Sequence, residues 1–139
     1  MQQAHSIFDL SVPVAPAAVI QYRGVDFTGA NISVAGTKGL GIAKRPALAG
    51  QSFEAVVLGT AICEIGAAVV AGQPLAFDAL GRVVPASLLN IPAGAVAVTS
   101  IAANGAPDLV GGILPQWVMG DALETNAVVG SLIEVLLAR

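Results

Sequence analysis

Glycine and proline interrupt this sequence so often that a long helix has little room to form. The chain contains 16 glycines and 8 prolines in 139 residues, and both residue types disfavour helix interiors. Short runs that are rich in β-branched residues lie between these interruptions. We predict strands at residues 18–22, 31–34, 53–58, 60–65, 83–84, 95–100 and 131–137. Many short strands with regular turn signals are typical of an all-β sandwich or barrel.

One segment predicts a hairpin in more detail. The residues Asp78-Ala79-Leu80-Gly81 lie between two apolar runs, 74–77 and 82–84. Glycine adopts the positive φ that such a turn requires. The sequence therefore predicts that these two runs pair with each other. A second turn is expected at Asn104-Gly105, and residues 85–89 have room for one helical turn at most.

The first sixteen residues differ from the rest of the chain. The segment Val12-Pro13-Val14-Ala15-Pro16 favours an extended, polyproline-like backbone and cannot join a central strand. We therefore expect an extended N-terminal arm over residues 1–16, with a frayed terminus as the alternative. Residues 17–139 are expected to form one all-β domain, a single-domain β-sandwich that is jelly-roll-like.

A weak internal repeat runs through the predicted domain. The stretch from Gly41 to Gly50 parallels the stretch from Gly120 to Gly130, with one extra residue in the second copy, and the strand at 53–58 parallels the strand at 133–137. Each copy has a glycine, a short loop, a second glycine and then a strand with glutamate near its start. Alanine, valine and glycine are common enough here to produce such matches by chance. Two similar hairpin units packed in one sandwich are the structural alternative.

The chain carries few charges for its size. Charged residues make up 11% of the sequence and the mean hydropathy is +0.81, whereas an average domain is about 25% charged. Such a surface suits a membrane or contact with other proteins. The longest uncharged stretch, 83–107, contains Pro85, Pro92 and Pro107, which exclude a lipid-exposed helix. No signal peptide is visible, and a net charge of −3 argues against binding nucleic acid.

The sequence contains few residues that could form a catalytic or metal site. His5 is the single histidine and Cys63 the single cysteine, so neither a nucleophilic triad nor a zinc site is expected. Cys63 lies in an apolar strand pattern and is predicted to be a small buried hydrophobe. Nine carboxylates are scattered along the chain. A small β-barrel hydrolase or ligand-binding protein would need some of them to converge in a deep pocket. We expect no enzyme activity, no cofactor and no metal.

The segment from 71 to 86, AGQPLAFDALGRVVPA, resembles the small capsid cement, or decoration, proteins of tailed bacteriophages. Members of this family follow a strand with a short apolar strand, an Asp-x-x-Gly turn and a basic-Val-Val continuation. Residues 39–43, 49–51 and 54–59 resemble the family upstream, and residues 130–137 resemble its C-terminal part. The resemblance covers roughly residues 36–86 and 118–138. It leaves the roles of the N-terminal arm and of residues 88–117 open.

The resemblance implies a non-enzymatic β-rich protein that binds the outside of an assembled capsid. The implied partner is the major capsid protein, whose neighbouring subunits it would bridge. The implied self-association is a homo-oligomer, a dimer or trimer, with the dimer preferred. The implied location is the virion exterior after synthesis in the host cytoplasm. A tail or baseplate component remains the main structural alternative.

Six apolar residues are candidates for contact with the capsid or a sister subunit: Ile7, Phe8, Leu10, Val12, Val14 and Trp117. The first five lie in the predicted arm, which is extended and precedes the domain. Trp117 lies in a glycine-bounded apolar segment, where it is either a core residue or an interface anchor. The usual burial of tryptophan favours the core.

Overall fold

The computed structural model describes residues 4–87 and 116–137, and within these ranges the chain forms eight strands and no helix. The strands are β1 (Ser6–Val12), β2 (Gly24–Val25), β3 (Gly41–Ala43), β4 (Phe53–Glu64), β5 (Pro74–Phe77), β6 (Val83–Pro85), β7 (Gly120–Ala122) and β8 (Leu132–Leu137). This confirms the all-β, single-domain prediction. The frequent glycines and prolines keep most strands short.

All eight strands belong to one hydrogen-bonded sheet. Its order is β2-β3-β4-β8-β7-β5-β6, and β1 also pairs with β4. Every pair of named strands is antiparallel. The sheet nearly closes, because Ile65 bridges to Val83 of β6 and the Gly24 amide donates to the Gly81 carbonyl. The predicted sandwich is thus refined to a single sheet that curls around its core.

The long strand β4 runs through a position where the sequence predicted a break. Gly59 separates the predicted strands 53–58 and 60–65, yet the backbone continues through it with a φ of 103°. Glycine has no Cβ and adopts this conformation without strain. The first half of β4 pairs with β1 and its second half pairs with β8.

The weak sequence repeat is confirmed as a structural repeat. The unit β1-β2-β3 with the first half of β4 is matched by the second half of β4 with β5, β7 and β8. Gly41 of β3 pairs with β2 as Gly120 of β7 pairs with β5. Three further backbone contacts of the first repeat have an equivalent in the second. The Val19–Ala47 contact corresponds to Val69–Asn126, the Lys44–Glu54 contact to Leu123–Glu134, and the Ala15–Gln51 contact to Ile65–Ser131.

Each repeat buries nearly the same set of positions, the exception being Ala47, whose equivalent Asn126 is only partly buried. The smaller core cluster contains Val12, Ala15, Val19, Val25, Ala43, Ala47, Phe53 and Ala55. The equivalent positions of the second repeat, among them Cys63, Ile65, Val69, Ala122, Ile133 and Val135, lie in the larger cluster. Both clusters include residues of β4, which therefore joins the two halves of the core.

The N-terminal segment belongs to this sheet along part of its length. Residues 6–12 form β1, and Pro13 marks the point where the strand ends. The prolines that argued against a strand all follow β1, so they do not prevent its pairing with β4. Beyond β1, the Ala15 amide donates to the Gln51 carbonyl at 2.8 Å. Whether residues 1–16 also reach a neighbouring subunit stays a prediction.

The local strands and turns agree with the sequence predictions in part. The hairpin around Asp78 is confirmed as β5 and β6. Residues 18–22 and 31–34 form isolated bridges at Val19 and Asn31 rather than strands. Strands β3 and β7 were not predicted, because each has only three residues. The predicted strand 95–100 and the turn at 104–105 lie outside the described residues.

Candidate protein-contact surface

Many large apolar side chains of this protein are exposed. Four of the six predicted contact residues are more than half exposed: Ile7 at 75%, Val14 at 58%, Phe8 at 53% and Trp117 at 51%. Leu10 is exposed to 36%. Val12 is only 8% exposed and packs in the core beside Phe53, with which it pairs across β1 and β4. Val12 was therefore wrongly assigned as a contact side chain, because its side chain is part of the smaller core cluster.

Strand β1 carries the most exposed apolar patch of the N-terminal region. Phe8 pairs with Leu58 of β4, and both side chains remain exposed. Ile7 lies beside Gly59, where any side chain would collide with the Ile7 backbone. We call Ile7, Phe8 and Leu58 the β1 patch. Because β1 has β4 as its only strand partner within residues 4–87 and 116–137, the patch lies at an edge of the sheet.

Trp117 lies on the surface, so the expectation that it packs in the core is wrong. The Lys38 ammonium lies 4.5 Å from the centroid of the Trp117 ring and 6.0 Å from that of Phe27. The Trp117 amide also donates to the Gly36 carbonyl at 3.0 Å. A cation over an aromatic face is attracted by the ring quadrupole. These contacts hold the indole in position while half of it remains exposed.

A shallow apolar groove of about 260 Å³ adjoins this cluster. It is lined by Lys38, Gly39, Leu40, Gly41, Val57, Phe77, Trp117, Val118, Met119 and Leu137. Eight of these residues form four equivalent pairs from the two repeats: Lys38 with Trp117, Gly39 with Val118, Leu40 with Met119 and Val57 with Leu137. The groove therefore lies where the two repeats meet. The sequence gives no sign that Lys38 and Phe27 lie beside Trp117, since neither is near Trp117 in the chain.

A second groove of about 300 Å³ lies beside the first half of the sheet. Its lining includes Ser6, Tyr22, Lys44 and Thr60 together with apolar residues of β3 and β4. The lining of neither groove contains an aspartate or a glutamate. The converging carboxylates that a hydrolase of this size would need are thus absent from both grooves.

Several of the scattered carboxylates maintain local structure instead. The Asp26 and Asp78 carboxylates each accept two backbone amide hydrogen bonds within equivalent turns. Glu64 forms an ion pair with Arg23 at 2.9 Å, and Asp9 forms one with Lys44 at 2.6 Å.

The ion pair of Arg45 with Glu54 lies on the surface. The hydrogen bond between the two side chains lowers the pKa of Glu54 and raises the pKa of Arg45. Both side chains are almost half exposed, so solvent screens their attraction. This pair therefore orients side chains more than it stabilises the fold.

Within the part of the chain that the structure describes, the potentially reactive residues Cys63 and His5 have different surroundings. Cys63 is fully buried, as predicted, and burial raises the pKa of its thiol. His5 is exposed, and its backbone exchanges hydrogen bonds with Thr60. Among residues 4–87 and 116–137, no three His, Cys, Asp or Glu side chains are grouped to hold a metal ion. The same residues include no helix long and apolar enough to cross a membrane.

A nearly closed β-sheet with exposed apolar patches is the arrangement of a protein that contacts other proteins. The chain belongs to the phage cement protein family, whose sequence model matches residues 3–114. It is therefore a structural protein of a phage head. This confirms the resemblance found in the sequence.

A solved structure shares this fold. The crystal structure of the head fiber gp8.5 N base in bacteriophage phi29 superposes with a TM-score of 0.62 and 16% sequence identity. The alignment covers 94% of this chain and 95% of that chain. At this identity the similarity supports the fold alone. A search of curated proteins found no match.

Proposed function

We propose that this protein is a non-enzymatic cement that binds the outer surface of a phage head and bridges neighbouring major capsid subunits. The observation that carries the proposal is the β1 patch, an exposed apolar surface on the edge strand of a charge-poor protein. Interfaces are depleted of charge at their centres and are anchored by aromatic side chains. Phe8 and the more distant Trp117 provide such anchors.

The edge position of the β1 patch indicates how a capsid subunit would be engaged. An edge strand presents unpaired backbone amides and carbonyls, and native proteins protect such edges by several means, among them lysine, proline and β-bulges. Strand β1 has the sequence SIFDLSV, which contains neither lysine nor proline. Its register with β4 shifts between Ser6 and Phe8 and between Phe8 and Asp9, and it is regular from Asp9 to Val12. An extended capsid segment can add to this edge through main-chain hydrogen bonds while apolar side chains cover Ile7 and Phe8.

We further propose that the protein acts as a homo-oligomer. Linking several weak contacts raises their combined affinity, because each further contact forms at high effective concentration. Burying one aliphatic or aromatic side chain contributes about 1.5–3 kcal/mol, so a single β1 patch supplies only modest affinity. Several patches within one oligomer would hold a shell firmly and resist its expansion.

The direct test mixes the purified full chain with undecorated capsids of its phage. We expect saturable binding with a fixed number of copies per shell, and decorated capsids that survive higher temperatures than bare ones. Co-sedimentation with isolated tails instead would identify a tail or baseplate component. Failure to bind capsids would overturn the proposed function.

The contribution of the β1 patch is tested with the double variant Ile7→Ser and Phe8→Ser. Both side chains are exposed, so the variant should fold, while loss of two buried contacts should weaken capsid binding by roughly 100-fold. Leu80→Ser is the matched control, because Leu80 is 52% exposed and lies in the turn between β5 and β6. Equal binding by the double variant and the control would exclude the β1 patch from the interface.

A further inference from the structure

The Lys38 ammonium, which lines the groove of about 260 Å³, has no carboxylate partner among residues 4–87 and 116–137. The other lysines and arginines of these ranges, Arg23, Lys44, Arg45 and Arg82, each form an ion pair. Lys38 instead lies over the rings of Trp117 and Phe27. An aromatic ring attracts a cation through its quadrupole but carries no net charge. The positive charge of Lys38 is therefore not compensated by these contacts.

The walls of this groove are fixed by backbone hydrogen bonds and close packing. The Gly36 amide donates to the Phe77 carbonyl at 2.8 Å, and the Trp117 amide donates to the Gly36 carbonyl at 3.0 Å. A Cβ at Gly39 would lie 2.6 Å from the Phe77 ring, so the absence of a side chain lets the backbone beside Lys38 rest on that ring. A ligand would thus meet a preformed surface, which lowers the entropy cost of binding.

The lining of the groove combines this one positive charge with apolar surface. Apart from Lys38 it consists of two glycines and seven apolar or aromatic residues. An apolar cavity of about 150 Å³ holds a benzene molecule, so the groove has room for one or two apolar side chains. A phosphate group or a nucleic-acid backbone would leave this apolar lining uncovered. The fitting ligand carries a carboxylate beside an apolar side chain, as an acidic peptide segment does.

The second groove does not offer the same combination. It is also lined by a lysine, Lys44, but that ammonium already pairs with the Asp9 carboxylate at 2.6 Å. An incoming carboxylate would have to displace Asp9 there. Only the groove beside Lys38 therefore presents an uncompensated cation to a ligand within the part of the chain that the structure describes.

We propose that the groove beside Lys38 binds a segment of the capsid partner in which an acidic residue adjoins an apolar one. The carboxylate pairs with the Lys38 ammonium, while the apolar side chain covers Leu40 and Met119. Val57 of this groove precedes Leu58 of the β1 patch in strand β4, so the two surfaces adjoin. The capsid as the source of the segment rests on the proposed function, whereas the preference of the groove for a carboxylate does not.

The first test needs no capsid and uses two capped peptides, Gly-Leu-Asp-Leu-Gly and Gly-Leu-Asn-Leu-Gly. Each is titrated into the full chain while NMR follows the Lys38 and Gly39 amides and the Trp117 indole. We expect the aspartate peptide to bind with a dissociation constant on the order of 1 mM. The asparagine peptide should bind about fivefold more weakly, since an exposed ion pair contributes modestly. Absence of shifts at these positions, or equal affinity for both peptides, would overturn the proposal.

Variants of Lys38 test whether the preference comes from its ammonium. Lys38 is exposed, so Lys38→Met should fold, and it should bind the two peptides with equal affinity. Lys38→Arg should keep the preference, because a guanidinium is also charged and also stacks on aromatic rings. Arg45→Met is the matched control, since it too removes one positive charge but Arg45 lines neither groove. A preference for aspartate that survives in Lys38→Met would contradict the role of Lys38.

The second test measures binding of the same variants to undecorated capsids. We expect Lys38→Met to weaken binding about fivefold or more, while Arg45→Met binds as the unmodified chain does. Binding of the unmodified chain should weaken more between about 0.05 M and 0.5 M NaCl than that of Lys38→Met, because salt screens the ion pair. Equal capsid binding by Lys38→Met and the unmodified chain would overturn the capsid as the source of the segment.

The two tests separate this inference from the proposed function. Failure of the unmodified chain to bind capsids would overturn the proposed function and, with it, the capsid as the source. The peptide titration would still decide whether the groove prefers a carboxylate. Capsid binding without any peptide preference would leave the proposed function intact and overturn the inference.

Discussion

At the residue scale, two equivalent glycines control how closely the strands pack. Gly41 and Gly120 lie against the backbone carbonyls of Val56 and Leu136, and a Cβ at either position would overlap the carbonyl oxygen. A carbonyl within a paired strand cannot move aside without breaking its hydrogen bonds. The glycines that open the two copies of the sequence repeat are thus required by close backbone approach.

Gly41→Ala should therefore destabilise the protein by about 3 kcal/mol, the upper range for overpacking a core. Gly50→Ala is the control, because Gly50 has a φ of 84° but open space around it, and should cost about 1 kcal/mol. Urea denaturation of both variants measures the difference. A cost at Gly41 equal to or below that at Gly50 would contradict the argument from close packing.

Cys63 is the residue whose titration should affect stability. Burial raises the pKa of its thiol in the folded state, whereas the unfolded thiol ionises near a pKa of about 8.5. The contribution of the buried, neutral thiol to the free energy of unfolding is therefore complete at pH values below the pKa of the unfolded thiol. It declines at higher pH, by up to about 1.4 kcal/mol per pH unit. We expect the free energy of unfolding to fall from about pH 8.5 upward, with a shallower slope in Cys63→Ala. Equal slopes would show that Cys63 does not cause the fall.

At the element scale, β1 combines two roles along seven residues. Its exposed side chains, Ile7 and Phe8, form the β1 patch, while Val12 and the following Ala15 pack into the core. The sequence alone predicted an extended arm that precedes the domain. The pairing of β1 with β4 indicates that the segment contributes to stability as well as to contact.

Deletion of residues 1–16 should therefore destabilise the domain, because it removes a whole strand and two core side chains. Loss of Val12 alone should cost about 2 kcal/mol. Deletion of residues 1–5 is the control, since it leaves β1 intact. Thermal unfolding followed by circular dichroism measures both. A deletion of 1–16 that unfolds at the original temperature would show that β1 is dispensable and restore the arm interpretation.

At the scale of the whole molecule, the shared strand β4 joins the repeats into one folding unit. Phe53 and Ala55 of its first half lie in the smaller core cluster, and Ala61 and Cys63 of its second half lie in the larger one. Gly59 sits at the junction with a φ of 103°, where a side chain would meet the His5 carbonyl and the Ile7 amide. Neither repeat can lose its strand without exposing the core of the other.

We expect a single cooperative unfolding transition. Trp117 fluorescence reports on the region where the repeats meet, and far-ultraviolet circular dichroism reports on all strands. The two should have the same midpoint in urea, as a two-state protein requires. Gly59→Ala should lower that common midpoint without separating the curves. Separate midpoints would indicate that the repeats unfold independently.

The sequence predicted the local features of this structure better than the long-range ones. Glycine and proline spacing predicted short strands, and the turn at Asp78 and the repeat were visible because they depend on residues close in sequence. The interior position of Cys63 followed from its apolar strand pattern. Strands β3 and β7 escaped prediction because three residues carry too little periodicity.

The predicted contact residues also separate what depends on nearby residues from what depends on distant ones. Sequence alone determined that the chain is all-β, poor in charge, internally repeated and without a set of catalytic residues close in sequence. Only the tertiary structure decided that residues 6–12 join the sheet, that Val12 turns inward and that Trp117 remains exposed against Lys38. The reason is physical: turn chemistry acts between residues near in the chain, whereas strand pairing and burial join residues far apart, such as Phe8 with Leu58.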